Sequence, residues 1–266
     1  MTIRVAIAGA RGKMGKEAVH TVMDNPEMEL VSVLDYKDVG KTLADTNLFP
    51  SSYTVPVFTD LKELYSETEP DVLVDLTTPE FVYEHTKQAL ELNIRPVVGT
   101  TGFSDEQLEE LTALSRDSKI GCIIAPNFAV GAVLMMKFAE QAAKYLPDIE
   151  IIEMHHDQKL DAPSGTAMKT AHLISKERPI HEQGHVREKE TIAGARGAKY
   201  DGMRIHSVRL PGLVAHQQVL LGGDGQLLTL RHDSFNRGSF MSGVVLSIKT
   251  VMEKEELIYG LEHIIV

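Results

Sequence analysis

The sequence predicts an α/β protein. An N-terminal Rossmann-like, doubly wound parallel sheet is followed by a C-terminal α+β domain with an open mixed sheet. Three observations support this fold class. Short apolar runs alternate with helical patterns from Ile3 to Ala125, which is typical of a parallel sheet covered on both faces. The first run ends in a glycine-rich turn at Gly9. After residue 200, strand patterns follow one another with only short turns between them.

The first half of the chain contains apolar runs that are separated by amphipathic segments. We predict strands at Ile3–Ala8, Leu30–Leu34, Val55–Phe58, Val72–Leu76, Pro96–Val98 and Ile120–Ala125. We predict helices that end at Met23 and that span Leu61–Ser66, Glu80–Leu92 and Asp105–Ser115. Runs that are apolar throughout indicate strands buried on both faces, so these strands are expected to be parallel neighbours.

The second half has a different texture. We predict helices at Val130–Tyr145 and Thr166–Ser175, a polar loop at Arg178–Tyr200, and strands at Ile149–Met154, Arg204–Leu210, Val214–Gly222 and Gln226–His232. The short turns between the last three strands predict antiparallel neighbours. Such an open sheet needs a cover, and a partner subunit is the expected one.

A last helix is predicted at Ser239–Met252 and is expected to end near Leu257–Tyr259. Its apolar face suits packing on the first domain, which makes that domain discontinuous. We therefore predict a dinucleotide-binding domain at 1–127 plus 240–266, and a substrate-binding and oligomerisation domain at 128–239.

Composition excludes several classes of partner. The 266 residues carry 27 basic and 38 acidic side chains, a net charge of −11, which disfavours nucleic acid and anionic membranes. No targeting segment or membrane-spanning run is recognisable, so a cytoplasmic location is expected. The single cysteine, Cys122, cannot form an internal disulfide. Its apolar neighbours favour a buried core residue over a thiol nucleophile.

The turn after the first strand reads GARGKMG from Gly9 to Gly15, a G-x-x-G-x-x-G variant of the dinucleotide fingerprint. Gly9 permits a tight turn, Gly12 lets the backbone approach a pyrophosphate, and Gly15 permits close packing of the helix. Asp35 ends the second strand twenty residues after Gly15, where a carboxylate binds ribose hydroxyls. Together these features predict a nicotinamide-dinucleotide site rather than a simple strand–helix turn.

The preference between the two dinucleotides stays open. Asp35 favours NAD, because a carboxylate repels a 2′-phosphate. Lys13 and Lys37 are close enough in the sequence to attract one, so our hypothesis is that both NADH and NADPH are used. Two later strand–helix turns, Gly99–Gly102 and Ala125–Phe128, are candidates for the nicotinamide ribose and ring.

Polar chemistry is concentrated between Glu153 and Ala167, in the segment EMHHDQKLDAPSGTA. Ser164 is a natural N-cap, and Gly165 and Thr166 then offer early helical N–H groups. With the ammonium of Lys159 and an imidazole, these groups predict an anion site suited to a carboxylate. A solvated polar loop is the alternative interpretation.

His155 and His156 beside Lys159 also supply proton-transfer groups near neutral pH. Hydride addition to a conjugated C=C–C=N system leaves an enamine anion, which needs a proton and a cationic neighbour. A metal site is not expected, because His155, His156 and Asp157 are adjacent rather than spaced as metal ligands.

Several stretches resemble the 4-hydroxy-tetrahydrodipicolinate reductase family, formerly called the dihydrodipicolinate reductase family. They are EIIEMH from Glu150, KLDAPSGTA from Lys159, VAIAGARGKMG from Val5, VGTTGF from Val98 and PNF from Pro126. The resemblance implies reduction of 4-hydroxy-tetrahydrodipicolinate, via dihydrodipicolinate, to tetrahydrodipicolinate by NADH or NADPH. It also implies lysine biosynthesis by the diaminopimelate pathway, and a homotetramer built through the C-terminal sheets.

The resemblance further implies individual roles. His155 is the expected proton donor and acceptor, and Lys159 the expected proton donor. The expected substrate-binding residues are His156, Gly165 and Thr166, to which we add the cap residue Ser164. The expected cofactor-binding residues, with Lys37 added as a 2′-phosphate partner, are Gly9, Ala10, Arg11, Gly12, Lys13, Met14, Asp35, Lys37, Gly99, Thr100, Thr101, Ala125, Pro126, Asn127 and Phe128.

Two positions depart from the family pattern. Tyr36 stands where many members carry an arginine, and Pro126 stands where many carry an alanine. Arg237, just before the last helix, is either a further carboxylate-binding residue or a solvated side chain. Two other functions are considered: a related aspartate-pathway semialdehyde dehydrogenase, which needs an exposed reactive cysteine or a different lysine pair, and a non-catalytic NAD(H)-sensing regulator.

Overall fold

The computed structural model describes residues 2–38, 40–178 and 181–265. The chain divides into two compact units, residues 1–128 with 240–266 (unit 1) and residues 129–239 (unit 2). Among the described residues, no helix combines the length and the apolar character that crossing a membrane requires.

Strands and helices alternate along unit 1, whereas strands dominate the later part of unit 2. The strands are β1 (Ile3–Ala8), β2 (Met28–Leu34), β3 (Val57–Phe58), β4 (Val72–Asp75), β5 (Arg95–Val98), β6 (Cys122–Ile124), β7 (Asp148–His155), β8 (Ala198–Tyr200), β9 (Met203–Arg209), β10 (Ala215–Gly223), β11 (Gln226–Ser234) and β12 (Leu257–Tyr259). The helices are α1 (Lys13–Met23), α2 (Leu61–Thr68), α3 (Pro79–Glu91), α4 (Asp105–Ser118), α5 (Val130–Ala142), α6 (Gly165–Glu177) and α7 (Met241–Val251).

Unit 1 contains a seven-stranded sheet in the order β12-β6-β5-β4-β1-β2-β3. Every pair of neighbours is parallel. Six of the strands follow the order 3-2-1-4-5-6 of dinucleotide-binding doubly wound folds, and β12 is added at one edge. The predicted Rossmann-like sheet is confirmed. Since the strands are parallel, the turns after β1, β4, β5 and β6 all lie at one edge of the sheet.

The central strands of unit 1 are buried on both faces, as their uniformly apolar sequences predict. Val5, Ile7, Leu73 and Val97 have no exposed surface. Each such side chain contributes about 1.5–3 kcal/mol when it leaves water. The covering helices begin where capping residues place them. At α4, for example, the Ser104 side chain accepts the N–H of Gln107 in a capping box.

Unit 2 contains a five-stranded mixed sheet in the order β11-β10-β7-β9-β8. The central strand β7 pairs antiparallel with β10 and parallel with β9. Helices α5 and α6 contribute to one apolar core with the alternate residues Ile149 and Ile151 of β7 and Val219 of β10. The intervening residues, such as Ile152, are only half-buried. Because β7 has one parallel and one antiparallel neighbour, the mixed sheet that the sequence predicts is confirmed.

One predicted strand pairing is wrong. β10 and β11 form the expected antiparallel hairpin, but β9 and β10 are separated by β7. Neighbouring strands lie about 4.8 Å apart, so stepping over one strand needs about 10 Å, which residues 210–214 can span. The Leu210 N–H donates to the His155 carbonyl at 3.1 Å where the chain passes the end of β7.

Two further segments differ from the prediction. Ala198–Tyr200 was expected in a loop but forms the edge strand β8. Leu257–Tyr259 was expected near the end of the last helix, but α7 ends at Val251 and this segment forms β12 beside β6. Strands of three residues are too short to show the alternation that identifies a strand in a sequence.

Candidate functional site

The glycine turn after β1 has the geometry that its sequence predicts. Gly9 adopts a φ of +83°, which favours glycine. The Gly12 N–H donates to the Gly9 carbonyl at 3.0 Å. An ideal Cβ on Gly15 would lie 2.1 Å from that same carbonyl oxygen. The start of α1 therefore packs directly on the turn, at a distance that excludes any side chain at Gly15.

The N-terminus of α1 is arranged to receive an anion. Gly12 is the N-cap residue of α1 and has an extended backbone. Because glycine has no side chain, it cannot cap the first N–H groups of the helix. The first N–H groups of a helix have no intrahelical acceptors, and the helix dipole favours negative charge there. Lys13, the first helical residue, is exposed. These features suit a pyrophosphate group.

Several predicted cofactor residues surround one small pocket at the end of β2. Asp35 is buried, and its Oδ1 accepts the N–H of Lys37 at 3.3 Å. The Lys37 ammonium lies 5.1 Å from the centre of the Tyr36 ring. Arg11 forms an ion pair with Asp38. The pocket is bordered by Ala10, Arg11, Asp35, Lys37 and Asp38, among other residues.

The turns after β5 and β6 lie at the same edge of the sheet. The Thr100 hydroxyl donates to the Thr77 carbonyl at 3.1 Å. A Cβ on Gly99 would lie 2.7 Å from both Leu76 and Phe128, so these two turns and the turn after β4 pack together. Among the other predicted cofactor residues, Thr101 and Pro126 are exposed, Met14 and Asn127 are half-buried, and Ala125 is buried.

Asp75 is a polar residue at this edge that the sequence analysis missed. It ends β4 with 1% exposure. Its carboxylate accepts the Thr77 N–H at 2.9 Å and the Thr77 hydroxyl at 2.6 Å, and it lies 2.8 Å from Nδ1 of His85. These contacts fix the turn whose Leu76 carbonyl lies 2.9 Å from an ideal Cβ on Gly9. The sequence feature that could have identified Asp75 is its position as an aspartate at the end of an apolar strand.

In unit 2, the start of α6 forms the predicted helix cap. The Ser164 side chain accepts the Ala167 N–H at 3.2 Å and is 3% exposed. The hydroxyl therefore serves the helix as its N-cap. Gly165 is exposed, and an ideal Cβ on it would have no neighbour within 4 Å among the residues that the structure describes. The backbone at Gly165 and Thr166 begins the helix, where an anion is electrostatically favoured.

The predicted proton-transfer residues lie just before this helix. His155 ends β7, and its side chain is 15% exposed. Lys159 is 21% exposed, and its Nζ lies 2.6 Å from Asp161 Oδ1. Burial lowers the pKa of His155; Glu153 acts in the opposite direction, and the positive charge of Lys159 adds to the lowering. His156 is exposed.

Glu153 links these groups and was not assigned a role from the sequence. It is fully buried. Its carboxylate accepts hydrogen bonds from both terminal nitrogens of Arg209, at 2.8 and 2.7 Å. It also accepts the Ser164 N–H at 3.2 Å and lies 2.6 Å from Nδ1 of His155. Burial raises the pKa of Glu153, but hydrogen bonds led by Arg209 outweigh burial and hold that pKa below its usual value.

Arg209 extends the network to the lysine. One of its nitrogens also donates to the Asp161 carbonyl at 2.7 Å, and the Asp161 side chain holds Lys159. His155, Lys159 and the start of α6 are thus joined through one chain of contacts. Arg237 is exposed.

The structure also bears on metal binding and on catalysis by a thiol. The described part of the chain contains no group of three or more His, Cys, Asp or Glu side chains placed to hold a metal ion. Cys122 is buried, and burial raises its pKa above the usual thiol value. A buried thiol of raised pKa is a poor nucleophile.

Comparison with known protein families covers both units. The family model described as dihydrodipicolinate reductase, N-terminus, matches residues 3–128, and the model described as dihydrodipicolinate reductase, C-terminus, matches residues 131–265. A 4-hydroxy-tetrahydrodipicolinate reductase of Lysinibacillus sphaericus is 71% identical over 100% of both chains. One of Bacillus subtilis is 57% identical over 99% of this chain and 98% of its own length.

Solved structures show the same relationship. A dipicolinate-bound dihydrodipicolinate reductase from Paenisporosarcina sp. TG-14 has a TM-score of 0.93 and 67% identity over 100% of both chains. An amine dehydrogenase from Mycobacterium smegmatis has a TM-score of 0.70 at 14% identity, covering 98% of this chain and 96% of its own. That second likeness concerns the fold alone. The two family models and the highly identical full-length relatives establish that this chain belongs to the dihydrodipicolinate reductase family.

Proposed function

We propose that this protein is an NAD(P)H-dependent oxidoreductase. Its substrate 4-hydroxy-tetrahydrodipicolinate loses water to give dihydrodipicolinate, which is reduced by a hydride and a proton to tetrahydrodipicolinate in the diaminopimelate route to lysine. The observation that carries this proposal is the contact network in which His155, Lys159 and the start of α6 are joined through Glu153 and Arg209. A relative with 67% identity is described as dipicolinate-bound, and dipicolinate is a cyclic dicarboxylate.

The residues of unit 1 fit a dinucleotide. The uncapped N-terminus of α1 and the close packing of Gly15 on Gly9 leave backbone N–H groups for the pyrophosphate. Asp35 would bind the ribose hydroxyls, with Arg11 and Lys37 beside the same pocket. Bound NADH or NADPH supplies the hydride. The turns Gly99–Thr101 and Ala125–Phe128 would hold its nicotinamide half, since they follow neighbouring parallel strands.

The residues of unit 2 fit a cyclic dicarboxylate. One carboxylate would receive the N–H groups of Gly165 and Thr166 and the ammonium of Lys159, and His156 would meet the second. When hydride reaches C4 of the conjugated ring, the electron pair moves toward the ring nitrogen and leaves an enamine anion. Lys159 and His155 would stabilise that anion and deliver the proton to C3.

Assembly and location are parts of the same proposal. We propose a homotetramer formed through the sheet of unit 2, whose strand β11 exposes Leu227 and Leu228 to solvent at 65% and 37%. Light scattering after size-exclusion chromatography tests the subunit number. The expected cytoplasmic location stays a prediction, which cell fractionation tests.

The decisive experiment is oxidation of NADH, and separately of NADPH, while a second enzyme generates the cyclic hydroxylated substrate in the same cuvette. We expect a loss of nicotinamide absorbance that depends on both enzymes. Absence of oxidation with both cofactors would contradict the proposal. Binding of NADH without oxidation would instead favour the regulator. The semialdehyde dehydrogenase lacks support, because the single cysteine of the chain is buried.

A further inference from the structure

Glu153 lies at the point where the core of unit 2 becomes polar. Along β7, Ile149, Ile151 and Glu153 face the helix-covered side of the sheet, and none of the three has exposed surface. An isolated carboxylate in such a place is strongly disfavoured. It is retained in a fold only where donors satisfy its oxygen atoms.

The structure places hydrogen-bond donors on both oxygen atoms of this carboxylate. Oε1 receives an Arg209 nitrogen at 2.7 Å and the Ser164 N–H at 3.2 Å. Oε2 receives the other Arg209 nitrogen at 2.8 Å and lies 2.6 Å from Nδ1 of His155. These partners come from β9, from the cap of α6 and from the end of β7. One buried side chain therefore fixes three separate elements of the candidate site.

The contact with His155 determines which imidazole nitrogen carries a proton. An ionised carboxylate only accepts hydrogen bonds, and the hydrogen bonds that lower the pKa of Glu153 keep it ionised. Nδ1 of His155 must therefore donate. In the neutral ring, the other nitrogen, Nε2, is then unprotonated and available to receive and return a proton.

We propose that Glu153, held by Arg209, is the positioning residue that sets the tautomer of His155 and thereby leaves its Nε2 as the proton-accepting nitrogen. Only the expected effect of Glu153 on turnover rests on the proposed function. The tautomer itself is a property of the protein without substrate, so it can be measured whether or not the proposed reaction occurs.

The experiment combines nitrogen-15 NMR of imidazole-labelled protein with steady-state kinetics of Glu153→Gln. The chain has 11 histidines, so the His155 signals are assigned by their loss in His155→Gln. At slightly alkaline pH, we expect His155 of the unmodified protein to be protonated at Nδ1 and bare at Nε2. Glu153→Gln presents an amide N–H₂ to groups that are themselves donors, so His155 should move toward the Nε2-protonated form.

The kinetic result should be a loss of kcat rather than of cofactor binding. We expect kcat to fall roughly tenfold to a hundredfold, part of the ~10²–10⁴-fold that a positioned proton donor supplies. The dissociation constant of NADH should stay unchanged, because the proposed dinucleotide residues all belong to unit 1. A merely structural role for Glu153 would lower the stability and leave the tautomer as it was.

Glu150→Gln is the matched control. Glu150 lies three residues earlier on β7 and faces the other side of the sheet. It too pairs with an arginine and a histidine, Arg196 at 2.7 Å and His206 at 2.8 Å. Its substitution removes a similar charge, so with subunit number verified it should leave the His155 signals and kcat unchanged.

Glu153→Gln leaves Arg209 without its counter-ion and threatens folding. The double variant Glu153→Leu, Arg209→Met removes the charge pair together with the acceptor that faces Nδ1 of His155, and should show the same change in tautomer and kcat. The proposal is overturned if unmodified His155 carries its proton on Nε2, or if a folded variant lacking Glu153 keeps both the tautomer and kcat. If unmodified protein never oxidises NAD(P)H, the proposed function fails while the NMR result still decides the role of Glu153.

Discussion

The ammonium of Lys159 lies 2.6 Å from the carboxylate of Asp161, two residues later in the same loop. Lys159 is the more buried partner, at 21% exposure against 59% for Asp161. The pair shows that this position of the loop already binds an anionic oxygen. A substrate carboxylate would join or displace that oxygen, with Asp161 held in place by the hydrogen bond from Arg209 to its carbonyl.

Removal of this ammonium should abolish most of the turnover. We expect Lys159→Ala to lower kcat by roughly 10²–10⁴-fold, the usual contribution of a positioned proton donor. NADH binding should be nearly unchanged in a fluorescence titration. Lys176→Ala, at an exposed position of α6, is the control and should behave as the unmodified protein. Normal turnover of Lys159→Ala would remove the lysine from the mechanism.

Binding of dipicolinate, used as a cyclic dicarboxylate probe of the proposed substrate site, should depend on the charge of His155. Burial lowers the pKa of His155 from 6.5, so its imidazole is neutral at neutral pH. As pH falls below 6.5 and through the lowered pKa, the ring becomes cationic and should attract the dianion more strongly. We expect the dissociation constant of dipicolinate to decrease as the pH decreases, and this trend to be absent in His155→Gln. The same trend in both proteins would assign it to another group.

Glu153 should make stability sensitive to acid. Its folded-state pKa lies below the ordinary value of 4.5. The stability that its ionised form contributes is therefore fully present above pH 4.5 and is lost as pH falls through the lower folded pKa. Urea unfolding should show a large deficit for Glu153→Gln at neutral pH, and this deficit should shrink on acidification. A deficit that is independent of pH would contradict the depressed pKa.

Replacing Gly15 or Gly165 by alanine should change the stability in opposite directions. Gly15→Ala places a methyl group 2.1 Å from the Gly9 carbonyl oxygen, so we expect a loss of at least about 1–3 kcal/mol of stability and of NADH binding. In the described part of the chain, the methyl group of Gly165→Ala meets no atom within 4 Å, and it should add about 0.4–1 kcal/mol of stability. The added methyl at Gly165 should nevertheless weaken dipicolinate binding. Unchanged binding would show that the substrate does not approach this backbone.

Asp38 should influence the choice of cofactor. It forms ion pairs with Arg11 and Lys41, the first beside the pocket that Asp35 borders. Asp38→Asn releases Arg11 and removes a negative charge, so it should raise kcat/KM for NADPH relative to NADH. Glu29→Gln, a substitution at the second residue of β2, is the control. An unchanged ratio in Asp38→Asn would exclude Arg11 as a partner of the 2′-phosphate.

Local features of the site were predictable from the sequence, because they depend on neighbouring residues. The tight turn at Gly9 and the cap at Ser164 both follow from residue types within a few positions. The Glu153–Arg209 pair was not predictable, since its partners are 56 positions apart. Its formation depends on β9 pairing with β7, and the sequence instead suggested that β9 pairs with β10.

In the fold, too, the long strands were predictable from the sequence, whereas the shortest strands and one contact were not. Long apolar runs such as that of β1 identify parallel strands directly. The contact between Asp75 and His85 was missed because an aspartate that ends a strand also suits an ordinary turn. The strands β8 and β12 were missed because three residues carry no periodicity, and only their neighbours in the sheet define them.

The position of β12 in the sheet of unit 1 has a consequence during synthesis. Unit 1 begins with the first residues of the chain, but its edge strand β6 acquires β12 only when residues 257–259 have been made. Ribosomes add about 5–20 residues per second, so the 131 positions from Phe128 to Tyr259 correspond to roughly 7–26 s of waiting. Throughout that interval, the apolar edge at Cys122–Ile124 lacks its native neighbour, whereas all of unit 2 has already been translated before α7. Nascent chains stalled before residue 257 should therefore expose the unpaired edge at Cys122–Ile124, and chaperones should be recruited to the earlier half of the polypeptide.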